Sequence, residues 1–240
     1  MNLPFFYISS YDPSSEIITL DEDASKHVAQ VLRMKPGEQL NLTDGKGNLL
    51  EAELIDNNKK KTLVKIKGIK YKEQTARRVS VAISLLKNAN RFEWFLEKAT
   101  EIGVNEITPL LCERTERQQF RYERLKSIMI SAMLQSRQVW LPELKEPEKF
   151  ADYIKTSGET GQLKLIAHCT EAEKKKLNDF HFSAFSKCRI LIGPEGDFTG
   201  EEISLALQHN YIPVTLGETR LRTETAGIVA AVMMCSSDKG

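Results

Sequence analysis

The run Ile190-Leu191-Ile192, followed at once by Gly193-Pro194-Glu195-Gly196, narrows the choice of fold more than any other stretch of the chain. Consecutive apolar residues fit a central parallel strand covered on both faces, since a strand with one wet face would alternate. Glycines just beyond such a strand let backbone approach a ligand where a Cβ would obstruct it. In open α/β sheets that loop, at the carboxyl end of the strand, is where ligands sit. One loop of this kind also reads as a plain turn. A second one follows, however: Pro213-Val214-Thr215-Leu216 runs into Gly217, and Thr223 is placed to cap the last helix. Thr199 and Glu202 have the spacing of a capping box at the helix after the first loop. Two glycine loops, each opening a helix, point to a binding site in an α/β sheet.

The α/β pattern does not cover the whole chain. Up to about Lys72 the sequence offers short alternating segments: Phe5–Ile8, Glu16–Leu20, Gln39–Thr43, Leu49–Ile55 and Thr62–Ile69. They are separated by turn signals at Asp44-Gly45-Lys46-Gly47 and Asn57-Asn58, residues that tolerate positive φ. This predicts a small β-barrel domain over residues 1–73, with one helix capped by Asp23 and burying Val28, Val31 and Leu32. Lysines 59–61, 65, 67, 70 and 72, with Arg77 and Arg78, form a nearly unopposed basic stretch running out of it into the linker. Lys65 and Lys67 share a strand face, so with Lys70 they suit phosphate binding. A strand edge guarded by lysines has the same pattern.

From residue 74 to 240 strands alternate with longer helices, the mark of a mainly parallel sheet. Val79–Leu86 is a strand, Phe92–Ile102 a helix stopped by Gly103, Ile107–Leu111 a strand and Tyr122–Ser136 a helix. Leu163–Cys169 is another strand, with His168 at its end. Arg114, Arg117, Arg121, Arg124 and Arg137 gather around the middle helix, and arginine's planar fork suits phosphate or a base edge. Interleaved Glu113, Glu116 and Glu123 also fit a solvated helix face. Arg114, just past a strand, and Arg137, just past a helix, are the stronger candidates.

Several function classes fall away. Lys+Arg number 34 against 33 Asp+Glu, a net charge of +1, so an RNA partner must be argued from local clusters. The cysteines, Cys112, Cys169, Cys188 and Cys235, have neither metal-ligand nor disulfide-scaffold spacing, and a reducing cytoplasm is the expected setting. The opening residues lack a basic leader, and no apolar run is long enough to span a bilayer. The first α/β strand is not followed by the dinucleotide fingerprint, which argues against a dehydrogenase.

Taken together, Ile192-Gly193-Pro194-Glu195-Gly196 with Thr199-x-Glu201-Glu202, Leu216-Gly217, and Leu221-Arg222-Thr223-Glu224-Thr225-Ala226 resemble the RsmE family of 16S rRNA uridine-N(3) methyltransferases. Lys87, Glu97–Val104, Glu113-Arg114-Thr115 and Gln135-Ser136-x-Arg137 extend the resemblance over both domains. It implies a PUA-like N-terminal barrel and a C-terminal SPOUT domain whose last segment threads a trefoil knot. It also implies S-adenosylmethionine as cofactor, 16S rRNA or the small ribosomal subunit as substrate, and a homodimer. Gly193, Leu216, Gly217 and Leu221 supply the apolar slot and close backbone such a cofactor needs. The resemblance adds Ala167, His168, Glu195, Gly196, Arg222, Thr223 and Thr225 to the cofactor site. For RNA it adds Lys87, Arg114, Gln135 and Arg137 to Lys65, Lys67 and Lys70.

N3 of uridine carries a proton that must leave, so a fixed cation or a positioned base is needed. Arg222 is the candidate cation, with Arg114 and Arg137 as alternatives. Glu195 and Glu224 are the candidate carboxylates. A non-catalytic rRNA-binding assembly factor is the alternative reading, and it leaves the two glycine loops unused.

Overall fold

The computed structural model describes residues 3–116, 119–156, 161–171 and 173–236. Arg117 lies outside them. The chain divides into two compact units, Met1–Gln74 with Met133–Leu141, and Thr75–Ala132 with Pro142–Gly240. The segment Met133–Leu141, which the sequence pattern assigns to the second domain, therefore groups with the first.

The first unit contains β1 (Phe5–Tyr7), β2 (Ile17–Thr19), α1 (Glu22–Lys26), β3 (Gln39–Thr43), β4 (Asn48–Asp56) and β5 (Leu63–Tyr71). Pairing runs β1-β3-β4-β5-β2, parallel between β1 and β3 and antiparallel elsewhere. Alternate residues of the long strands face one core, in which Leu40, Leu42, Leu50, Leu54 and Val64 are buried. Two expectations about the helix need correction. Asp21, not Asp23, caps α1, its carboxylate accepting from the Ala24 amide at 2.8 Å. Val28 is buried, but Val31 is 68% and Leu32 42% exposed. The cause is a π turn over His27–Val31, with the Leu32 amide donating to the His27 carbonyl. The wider turn rotates both residues off the face that an α-helical spacing assigns them.

The basic stretch is also less open than its sequence reads. Lys65 pairs with Glu16 at 3.3 Å, Lys67 with Glu53 at 2.8 Å, and Lys70 with Glu51. The partners sit before β2 and on β4, beside β5 in the sheet, so linear charge counting misses them.

In the second unit come β6 (Arg78–Ser84), α2 (Ala89–Ile102), β7 (Glu106–Leu111), α3 (Tyr122–Gln135, whose residues from Met133 on group with the first unit), β8 (Glu143–Leu144), β9 (Glu148–Lys149) and α4 (Phe150–Thr156). They are followed by β10 (Gln162–Ala167), β11 (Lys175–Lys176), β12 (Lys187–Ile192), α5 (Gly200–Gln208), β13 (Ile212–Thr215) and α6 (Thr223–Ser236). The sheet is parallel throughout, in the order β11-β13-β10-β12-β6-β7-β8, with β9 also paired to β7. Helices cover both faces. Ala82, Ile166 and Leu191 pack with Phe150 and Ile154 of α4 and Ile203 and Ala206 of α5. On the other face α6 lies against Ile83 and against Phe95 of α2, so near that a Cβ at Gly227 would come within 2.7 Å of the Phe95 ring. This double cover is why Ile190-Leu191-Ile192 carries no polar residue. No helix among the described residues is long and apolar enough to cross a membrane.

Candidate active site

Three neighbouring strands end level with one another: Val214 of β13 is in register with Ala167 of β10, which is in register with Ile192 of β12. The loops beyond these three ends enclose a cavity of about 650 Å³. Ala167, His168, Gly193, Glu195, Leu216, Gly217, Leu221, Arg222 and Thr223 all stand on its wall, so sequence positions more than fifty residues apart converge. Gly196 and Thr225 are not on that wall.

Each loop is fixed by hydrogen bonds that follow from its residues. Asp197 takes a left-handed φ of 64°, a conformation Asp adopts more readily than most residues. Its carboxylate accepts from the amides of Cys169 and Phe198, each at 2.8 Å, which ties the β12 loop to the β10 loop. Lys174 donates to the carbonyls of His168 (3.0 Å) and Thr170 (2.9 Å) and closes the β10 loop on itself. His168 meets Thr170 Oγ1 through Nδ1 at 2.5 Å. Burial first, and Lys174 second, hold the His168 pKa below the usual imidazole range, against an opposing pull from Asp197. Its ring is therefore neutral at neutral pH.

The second glycine loop turns at Gly217, whose φ of 147° an L side chain rarely adopts. Arg220 reaches back to the Glu195 carbonyl at 3.5 Å. Arg222 accepts the first helical hydrogen bond of α6, from Ala226 at 2.7 Å, so it and not Thr223 holds the cap position; Thr223 is the first helical residue. The Arg222 side chain is exposed and makes no ion pair or side-chain hydrogen bond among the described residues.

Gly193, on the cavity wall, also meets a packing constraint. A Cβ there would stand 3.1 Å from the Phe198 ring and 3.2 Å from the Phe198 amide nitrogen, so the glycine makes room for Phe198. The capping box at Thr199 is present, with Glu202 accepting from the Thr199 amide at 2.8 Å. The other Glu202 oxygen accepts from the Glu113 amide at 2.9 Å. Next to it, Arg114 Nη1 donates to the Gly196 carbonyl at 2.5 Å. Glu113 and Arg114 thus tie this segment to α5 and to the β12 loop respectively.

Lys87 lies outside the cavity, 2.8 Å from Glu116, and Glu195 adds to the field that raises its pKa, after the Glu116 hydrogen bond and charge. Glu224 is 5% exposed and absent from the cavity wall, with Oε1 3.7 Å from Arg91 Nε. Gln135, Arg137, Lys65, Lys67 and Lys70 belong to the other unit. The sequence reading missed Asp197, Lys174 and Arg220. The signal for Asp197 was present, since an aspartate closing a Gly-Pro-x-Gly turn often bonds to nearby backbone amides. Lys174 and Arg220 carried no such signal.

Comparison with known proteins places this arrangement. The RNA methyltransferase domain family matches residues 72–235, and the RNA methyltransferase PUA domain family matches residues 20–67. A ribosomal RNA small subunit methyltransferase E from Synechocystis sp. is 30% identical over 217 residues, 89% of this chain and 71% of that protein. The crystal structure of a probable rRNA-methyltransferase from Porphyromonas gingivalis superposes with a TM-score of 0.88 at 36% identity, covering 98% of this chain and 100% of that one. A ribosomal RNA small subunit methyltransferase E from Neisseria gonorrhoeae, solved bound to S-adenosyl methionine, superposes with a TM-score of 0.87 at 27% identity over 98% of each chain. The chain belongs to the RNA methyltransferases that carry a PUA domain, and within them to the ribosomal RNA small subunit methyltransferase E family.

Proposed function

We propose that the protein transfers a methyl group from S-adenosylmethionine to N3 of a uridine in 16S rRNA. The observation that carries this reading is the cavity at the ends of β13, β10 and β12, with Arg222 on its wall and unpaired among the described residues. Its walls suit the cofactor: Ile192, Val214, Leu216 and Leu221 offer apolar surface, and the Gly217 turn leaves space, with nothing within 4 Å of a would-be Cβ. When bound, S-adenosylmethionine supplies an electrophilic methyl group on a sulfonium. Arg222 is the cation on the cavity wall for the charge that develops as uridine N3 loses its proton. Glu195, exposed on the same wall, is the carboxylate available to take that proton. Glu224 is withdrawn from the role by its burial. Arg114 acts by holding the Gly196 carbonyl and with it the loop that carries Glu195.

The reading extends to the assembly. The last segment passes out to β13 near the sheet edge and returns in α6 to pack beside β6, which fits a knotted C-terminus. The apolar outer face of α6 fits a homodimer. None of the four cysteines forms a disulfide among the described residues, which suits a reducing cytoplasm.

Incubation with labelled S-adenosylmethionine and 16S rRNA tests the activity, because methylation at N3 blocks base pairing and stops reverse transcription at one site. Arg222→Lys keeps the charge but loses the planar fork, and the rate is expected to fall at least about tenfold with folding intact. RNA binding without S-adenosylmethionine binding would replace the enzyme reading with that of an assembly factor.

A further inference from the structure

The first unit presents an aromatic pair that the proposed reaction does not use. Tyr71, at the end of β5, is 61% exposed, and its ring meets Trp140 edge to face with centroids 6.0 Å apart and planes at 78°. Trp140 is held firmly. Its Nε1–H donates to the Lys72 carbonyl at 2.8 Å, its backbone bridges Lys46, and the Gly47 amide donates to the Val139 carbonyl at 2.8 Å. Gly47, at φ 94°, lies so close that a Cβ there would come 2.5 Å from the indole and 2.8 Å from the Tyr71 ring. The turn between β3 and β4 thus accommodates the two rings and leaves one of them largely in solvent.

The charges around the pair differ from those along β5. Lys65, Lys67 and Lys70 each have a glutamate partner. Lys46, directly across from Trp140, and Lys72, next to Tyr71, are exposed and make no ion pair among the described residues. Arg137 is exposed three residues before Trp140, again with no ion pair among the described residues, on a backbone at φ 56°. A fixed ring pair flanked by cations without carboxylate partners fits a ligand that combines flat π faces with phosphates. A single-stranded nucleic acid has that chemistry, whereas a duplex hides its base faces.

We propose that Tyr71 and Trp140 form a stacking platform for an unpaired base of the RNA substrate, with Lys46, Lys72 and Arg137 contacting the flanking phosphates. The proposal rests on the reading of the protein as an rRNA methyltransferase.

The chain has two tryptophans, so Trp94→Phe leaves Trp140 as the sole indole reporter. Titration of that protein with single-stranded oligouridylate should quench its fluorescence, and a duplex of polyadenylate and polyuridylate should not. Tyr71→Leu should weaken oligouridylate binding roughly 5- to 140-fold without changing its salt dependence, and Tyr71→Phe, which keeps a π face, should restore it. Lys46→Gln with Lys72→Gln should instead lower the salt slope by about 1.4 units, at about 0.7 per phosphate contact on a single strand. Unquenched Trp140, or equal affinity in Tyr71→Leu, in a protein that still methylates 16S rRNA would overturn the platform and leave the activity standing. A wild-type protein that binds no RNA would overturn both.

Discussion

At Gly193 the absence of a side chain serves packing. The ring it admits, Phe198, is buried and packs on Phe150 with centroids 5.2 Å apart, so it has little room to yield to a new methyl group. Gly193→Ala is therefore expected to cost about 1–3 kcal/mol of stability, the range for overpacking a filled site. Thermal unfolding measures it directly. An unchanged melting temperature with weakened S-adenosylmethionine binding would return the glycine to its sequence-level role of admitting ligand. The packing against Phe198 was not legible in the sequence, because a glycine's neighbours come from residues that approach only in three dimensions. Gly217 differs: nothing lies within 4 Å of a Cβ built there, and its φ of 147° favours glycine whatever the space.

Among the elements, α5 shows what local sequence can carry. Its start depends on residues within four positions of one another, and the Thr199–Glu202 box forms as its spacing implies. The second bond of Glu202, to the Glu113 amide, depends on a residue 89 positions away and has no local signature. Glu202→Ala should remove both, at a cost of about 1–3 kcal/mol from the lost cap and the charge-assisted hydrogen bond. It should also loosen the Glu113–Arg114 brace on the Gly196 carbonyl and raise the KM for S-adenosylmethionine, whereas Glu201→Ala on the exposed side of the first turn should change neither. Equal effects from the two substitutions would reduce Glu202 to a cap. The same limit of locality explains the elements read wrongly. A π turn in the first unit shifted Val31 and Leu32 outward, and the glutamates opposite Lys65, Lys67 and Lys70 became visible only once the strands paired. The parallel sheet and the two glycine loops were legible because strand burial and loop glycines are written in consecutive residues.

For the whole molecule the decisive element is α6, whose Ile228, Val229, Val232 and Met233 lie opposite the face buried by Gly227, Ala230, Ala231 and Met234. The inner face is covered within the chain by Ile83 and Phe95. The outer face has no charged residue between Gly227 and Ser236, and Val232 is 42% exposed. An apolar stripe of this kind costs free energy in water unless something covers it, and a second copy meeting it about a twofold axis would bury the same stripe on both sides. Val232→Glu places a charge in the middle of that contact and removes nothing from the inner packing. Sedimentation at micromolar concentration is expected to give a dimer for the wild type and a monomer for Val232→Glu, with the circular dichroism of the two unchanged. A dimeric Val232→Glu protein would move the contact away from α6, and a monomeric wild type with full methyl-transfer activity would remove the dimer from the working enzyme.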